Sequence, residues 1–139
     1  MQRLRTPCSG TAAVLLFDVP VGEDHVADCL FCRIASGEIP SRQVLSEDDL
    51  VAFEDINPQA PVHMLLIPRK HIPTLNDLTP EDDLLVGRLV RAASRLAREH
   101  GIAEPGYRVI LHCNAQAGQS VWHVHLHLLG GRSLRWPPG

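Results

Sequence analysis

The sequence predicts an α+β domain with a largely antiparallel sheet, on three observations. Short strand-like runs come in neighbouring pairs, one long amphipathic helix lies between two groups of them, and the chain closes on two strands with no helix between. A doubly wound parallel sheet would instead need helices alternating with strands.

Taken in order, Cys29 to Ser36 can form two helical turns, closed by Gly37 with Pro40 beyond as a stop. Arg42 to Ser46 and Leu50 to Glu54 flank the acidic turn Glu47-Asp48-Asp49 and read as a hairpin. His63 to Pro68 is a mostly apolar strand entered through Asn57-Pro58-Gln59-Ala60-Pro61. The strongest helix follows. Thr79 can cap it, Pro80 suits its first position, Glu81, Asp82 and Asp83 complement the positive end of its dipole, and Gly101 ends it. Leu85, Leu89, Ala92 and Leu96 recur at three- and four-residue spacing, with Val86, Val90, Ala93 and Ala97 beside them, so a broad apolar face should cover the sheet. Two last strands, Tyr107 to Cys113 and Val121 to Leu129, are joined by the loop Asn114 to Ser120.

A chain of 139 residues has room for one core of ordinary size. Its 45% hydrophobic and 21% charged residues exclude wholesale disorder, and a net charge of -3 leaves no broad basic field for nucleic acid. Ala12 to Phe17 falls far short of the roughly 20 apolar residues that span a bilayer, so no membrane partner is expected. Four cysteines, two of them in the tight pair Cys29-Leu30-Phe31-Cys32, suit a reducing compartment and a cytoplasmic location. Residues 1–27 read as an extension, with Ser9 to Ala13 a poor match to a signal-peptide cleavage site, and residues 28–139 as the domain.

Most chemical information lies in Trp122-His123-Val124-His125-Leu126-His127-Leu128-Leu129. Strand alternation would put His123, His125 and His127 on one face, successive imidazoles about 7 Å apart, with Val124, Leu126 and Leu128 on the other. Surface histidines explain a single imidazole better than three in strict alternation. A His-rich metal site is a second reading. The third is nucleophilic catalysis, in which neutral imidazole attacks phosphorus and a neighbouring histidine manages protons near its own pKa. The preceding Ala117-Gly118-Gln119-Ser120 favours the third, because backbone N–H groups, the Gln119 amide and the Ser120 hydroxyl could converge on phosphate oxygens. Cys29 and Cys32 form half of a structural zinc site.

Collinear blocks carry a resemblance to the histidine triad (HIT) superfamily, and within it to the nucleotide-binding phosphoramidase branch. They are Phe31-Cys32-Arg33-Ile34, Glu38-Ile39-Pro40-Ser41, Ala52-Phe53-Glu54-Asp55-Ile56, Pro58-Gln59-Ala60-Pro61-Val62-His63, Ile67-Pro68-Arg69-Lys70-His71, Gly118-Gln119-Ser120, the three histidines, Gly130-Gly131-Arg132 and Trp136-Pro137-Pro138-Gly139. The resemblance implies a HIT-like fold of five strands with one long and one short helix, a homodimer with a continuous ten-stranded sheet, and a purine nucleotide or nucleoside phosphoramidate as substrate. It implies His125 as the nucleophile that carries the nucleotidyl group, His127 on the scissile phosphate, and His63 and His123 as orienting groups. It further implies Asp55 on the ribose, Leu30, Phe31, Ile34 and Phe53 around the base, Ile56 as a further nucleotide contact, Gly118, Gln119 and Ser120 near the phosphate, and Trp136 reaching towards the partner protomer's site. In several bacterial relatives the thiol pair is completed by the equivalents of His71 and His123, which implies zinc at Cys29, Cys32, His71 and His123. His112 departs from the pattern, standing where this branch usually has an Asn that contacts the nucleotide. The same superfamily also includes dinucleoside polyphosphate hydrolases and nucleotidyl transferases. A zinc-stabilised nucleotide sensor with little activity is the non-enzymatic alternative.

Overall fold

The computed structural model describes residues 26–139, so the extension, apart from Val26 and Ala27, lies outside the described residues. Helix α1 spans Leu30–Ala35, and Cys29 is its N-cap, its sulfur accepting from the Cys32 amide. Gly37 follows at φ +82°, a left-handed position that suits glycine. Strands β1 (Gln43–Ser46) and β2 (Leu50–Glu54) form the expected hairpin, its turn closed by the Glu47 amide donating to the Leu50 carbonyl.

Strand β3 spans Val62–Pro68, and the long helix α2 spans Asp83–Glu99. Thr79 and Asp82 make a capping box around a single 3-10 turn, Pro80–Asp82, so these signals start that turn and α2 begins one residue beyond it. The buried face of α2 is Leu89, Ala92, Ala93, Leu96 and Ala97, narrower than the sequence suggested; Val90 faces solvent. Strand β4 is Tyr107–Leu111 and β5 is Leu126–Gly130.

All neighbouring strands run antiparallel, in the order β1-β2-β3-β5-β4. Alternation sorts β2, β3 and β5 onto two buried faces. Leu50, Ala52, Met64, Leu66, Leu126 and Leu128 meet α2, whereas Val51, Phe53, Leu65 and Ile67 meet Phe31, Ile34 and Ala35 of α1. Register aligns His63 with Leu129 and Leu65 with His127, so His63 and His127 are diagonal neighbours on the α1 side. The edge strand β4 leaves Tyr107 and Val109 exposed. Among the described residues no helix is long and apolar enough to cross a membrane.

Candidate active site and metal centre

The last strand is shorter than its sequence suggests. It begins at Leu126, so His123 and His125 lie in a non-strand lead-in and only His127 is a strand residue. The local cause is the Val124 amide, which donates 2.7 Å to the Ile72 carbonyl outside the sheet. All three imidazoles still lie on the α1 side, but they divide between two clusters.

His123 is fully buried and turns towards the thiols. Its Nδ1 lies 3.4 Å from Cys29 Sγ and 3.6 Å from Cys32 Sγ, and His71 Nδ1 is 3.4 Å from Cys32 Sγ. All four ligand atoms fall within 4.8 Å of one another, so Cys29, Cys32, His71 and His123 could hold a metal ion. The His123 Nε2–H donates 2.7 Å to the Pro68 carbonyl, which leaves Nδ1 as the lone-pair nitrogen a ligand needs. Burial pushes the Cys32 thiol up and brings His123 down to about 4, a direction that keeps the imidazole neutral.

His125 stands at the other site. A carbonyl can only accept, so the 2.7 Å contact with the His123 oxygen places the proton on His125 Nδ1 and the lone pair on Nε2. Phe31 packs edge-on against this ring at 5.0 Å and against His123 at 6.0 Å, so a residue expected at the base pocket also braces His125. His127 is 5.1 Å from His125 between ring centres, and His112 is 5.1 Å from His127.

A second relay fixes the other tautomers. The Gln59 amide donates 3.0 Å to His63 Nδ1, so the His63 proton is on Nε2, 2.9 Å from His127 Nδ1. His127 Nδ1 then accepts, and its Nε2 carries the proton. Asp55, His63 and His127 also form a compact donor set. They fit a metal poorly, because metal at His63 Nε2 would force a proton onto Nδ1, against the Gln59 N–H. The backbone thus distinguishes the two clusters: one presents lone pairs to a common centre, the other passes a hydrogen bond along it.

Burial lowers His125 and His63 and takes His127 down to about 4, helped by the neighbouring imidazoles, while Asp55 opposes the shift at all three. In the unfolded chain His127 would titrate near about 6.5. Between those values the unfolded chain binds a proton that the folded chain does not, so this contribution is complete above pH 6.5 and is lost as pH falls towards 4. The urea midpoint is expected to fall across that window, and less steeply in His127→Gln; equal slopes in the two proteins would contradict it.

Gln119 is placed differently from the sequence expectation. Its amide donates to the Pro73 and Val121 carbonyls and accepts from the Asn114 amide, so it shapes the loop rather than facing a phosphate. The Gly118 and Gln119 amides are also used within the loop, bonded to the Ala115 and Asn114 carbonyls. The Ser120 residue is exposed. Ile34 and Phe53 are buried beside Phe31, whereas Leu30, Ile56 and Trp136 are exposed. Asp55 accepts from the Asn57 amide through Oδ1 and places Oδ2 3.4 Å from His63 Nε2. The Pro68 and His123 carbonyls and the Gln59 amide are functional atoms that the sequence reading missed. Backbone groups leave no signature in residue type.

The family model of the HIT domain matches residues 36–134. A purine nucleoside phosphoramidase of Escherichia coli K12 is 48% identical over 107 residues, covering 77% of this chain and 90% of that protein. An uncharacterized HIT-like protein of Synechocystis is 47% identical over 112 residues, covering 81% and 97%. Among solved structures, a HIT family hydrolase from Legionella pneumophila superimposes with a TM-score of 0.80 at 50% identity, covering 81% of this chain and all of that one. A histidine triad protein from Clostridium difficile gives a TM-score of 0.78 at 40% identity, covering 80% and 96%. With this match spanning most of the described fold, the chain belongs to the HIT domain family.

Proposed function

We propose that this protein is a hydrolase that cleaves the P–N bond of purine nucleoside 5′-phosphoramidates through a nucleotidyl-His125 intermediate. The observation that carries this reading is the His125 tautomer: Nδ1–H is spent on the His123 carbonyl, so an unprotonated Nε2 is held for attack on phosphorus. Identity to the Escherichia coli phosphoramidase supports the substrate class.

In the first step His125 Nε2 bonds to phosphorus, the P–N bond of the substrate breaks, and the amine leaves with one proton supplied from solvent through His127. Water then attacks phosphorus, the P–N bond to His125 breaks, the nucleoside monophosphate departs, and one proton returns to solvent. His127 Nε2–H is the donor at the leaving nitrogen in the first step, and the vacated Nε2 takes the water's proton in the second. Asp55 is read as the ribose carboxylate, His112 as a nucleotide contact, and the segment from Gly118 to Ser120 as the phosphate-side loop.

Zinc suits the Cys29, Cys32, His71 and His123 set. Bond lengths of about 2.3 Å to sulfur and 2.0–2.1 Å to nitrogen separate S and N ligands by about 3.6 Å across a tetrahedron, close to the 3.4–3.6 Å between these atoms. Such an ion would tie α1 to the histidine segment. The chain's own residues perform the chemistry.

The quaternary reading is a homodimer joined along β4, where exposed Tyr107 and Val109 line an unpaired edge, with Trp136 available to the partner's site. Residues 28–139 are the domain, residues 1–27 an extension, and the free thiols suit the cytoplasm.

The test is release of AMP from adenosine 5′-phosphoramidate beside diadenosine tetraphosphate, with acid-labile nucleotide on His125 sought by mass spectrometry of quenched turnover. Faster phosphoramidate cleavage with the adduct is expected. Preference for the dinucleotide would assign the polyphosphate reaction instead, and AMP binding without turnover would assign a sensor.

A further inference from the structure

His63 has one ring proton and two acceptors within reach. Its Nε2–H faces His127 Nδ1 at 2.9 Å and Asp55 Oδ2 at 3.4 Å, while Nδ1 is committed to the Gln59 amide. With the proton on the His127 side, His127 Nδ1 is occupied as an acceptor. His127 cannot then become an imidazolium, because a proton on that nitrogen would meet the His63 N–H. Relief requires His63 Nε2–H to turn to another acceptor, and Asp55 is the carboxylate placed for it. The charged and titratable groups facing the pair are Asp55 after β2, His112 beyond β4 and His125 before β5.

We propose that Asp55 is a positioning residue for proton transfer, the alternative acceptor whose capture of the His63 Nε2–H lets His127 take up the proton that leaves with the amine. In that exchange His63 stays neutral. Its N–H moves from His127 Nδ1 to Asp55 Oδ2, one solvent proton binds His127 Nδ1, and the His127 Nε2 proton passes to the leaving nitrogen. His127 regains its starting form as water attacks: the water's proton binds Nε2 and the Nδ1 proton returns to solvent. The carboxylate also opposes the burial that depresses both rings. This role rests on the phosphoramidase reading and adds to the ribose contact implied for the same carboxylate.

The two roles separate experimentally with Asp55→Asn, which keeps an oxygen for the Asn57 amide and removes the charge. Turnover is compared on adenosine 5′-phosphoramidate and on its 2′,3′-dideoxy counterpart. A positioning role gives at least a tenfold loss of kcat on both substrates; a loss confined to the ribose substrate would overturn it. The second measurement needs no activity. Imidazole nitrogen NMR across pH should show the His127 midpoint lower by half a unit or more in Asp55→Asn. In the parent protein the His63 Nε2 resonance should move as His127 titrates, because its proton changes acceptor. A His127 midpoint equal in both proteins, or a His63 resonance indifferent to His127, would overturn the inference even if the enzyme proves active. If neither substrate is cleaved, the phosphoramidase reading fails on its own while the NMR comparison still decides the role of Asp55.

Discussion

Replacing His125 with Ala is expected to lower AMP release from adenosine 5′-phosphoramidate by at least about 10³-fold, equivalent to about 4 kcal/mol of lost transition-state stabilisation. The size follows from what the side chain contributes. Neither of the other two triad imidazoles has its unprotonated nitrogen free: His127 Nδ1 is taken by His63, and His123 Nδ1 faces the thiols. Water could attack directly, but a bound nucleophile held by a 2.7 Å hydrogen bond and the Phe31 ring has the orientation advantage. Alanine also strands the His123 carbonyl, with a stability cost of about 1–3 kcal/mol. His125→Gln separates the two effects, since its amide can donate to that carbonyl but offers no basic nitrogen to attack phosphorus. It should be as inactive as the alanine variant, melt closer to the parent and still bind AMP. Residual turnover within tenfold of the parent in either variant would remove His125 from the nucleophile's role.

Removing the proposed zinc is expected to have the largest effect on stability. The thiol and imidazole ligands come from α1, from the loop after β3 and from the lead-in to β5, so an ion there crosslinks three segments. Losing one buried ligand of four should cost about 3–5 kcal/mol, which for a domain of this size lowers the melting temperature by about 10–20 °C. Chelation of the parent and Cys32→Ser should reach the same lowered value, and Cys32→Ser should carry no zinc and no longer respond to chelator. A purified parent protein that holds no zinc and melts unchanged in chelator would refute this account. The consequence extends to catalysis, because the residue whose ring joins the thiol cluster is the residue whose carbonyl orients His125. The variant should therefore lose kcat as well as melting temperature.

The sequence by itself determined the local structure. Gly37 and Gly101 stop helices because each takes a positive φ that a side chain would resist, and the acidic turn at residues 47–49 closes a hairpin. Alternating apolar residues in β3 and β5 send Met64, Leu66, Leu126 and Leu128 to α2. The histidine spacing marked the site, and the blocks around it marked the family and the four residues of the thiol cluster. What the sequence implied wrongly was one continuous strand through the three histidines. That reading assumed strand alternation through residues 121–129, and one hydrogen bond from Val124 to Ile72, residues far apart in the chain, breaks it. Only tertiary structure decided which nitrogen of each imidazole keeps its proton. The β3–β5 register made His63 and His127 partners, the Pro68 and His123 carbonyls chose the tautomers of His123 and His125, and the Gln59 amide chose that of His63. The physical reason is that an imidazole's role depends on which nitrogen keeps its proton. Backbone donors and acceptors set that, and their positions are fixed only when the chain has folded.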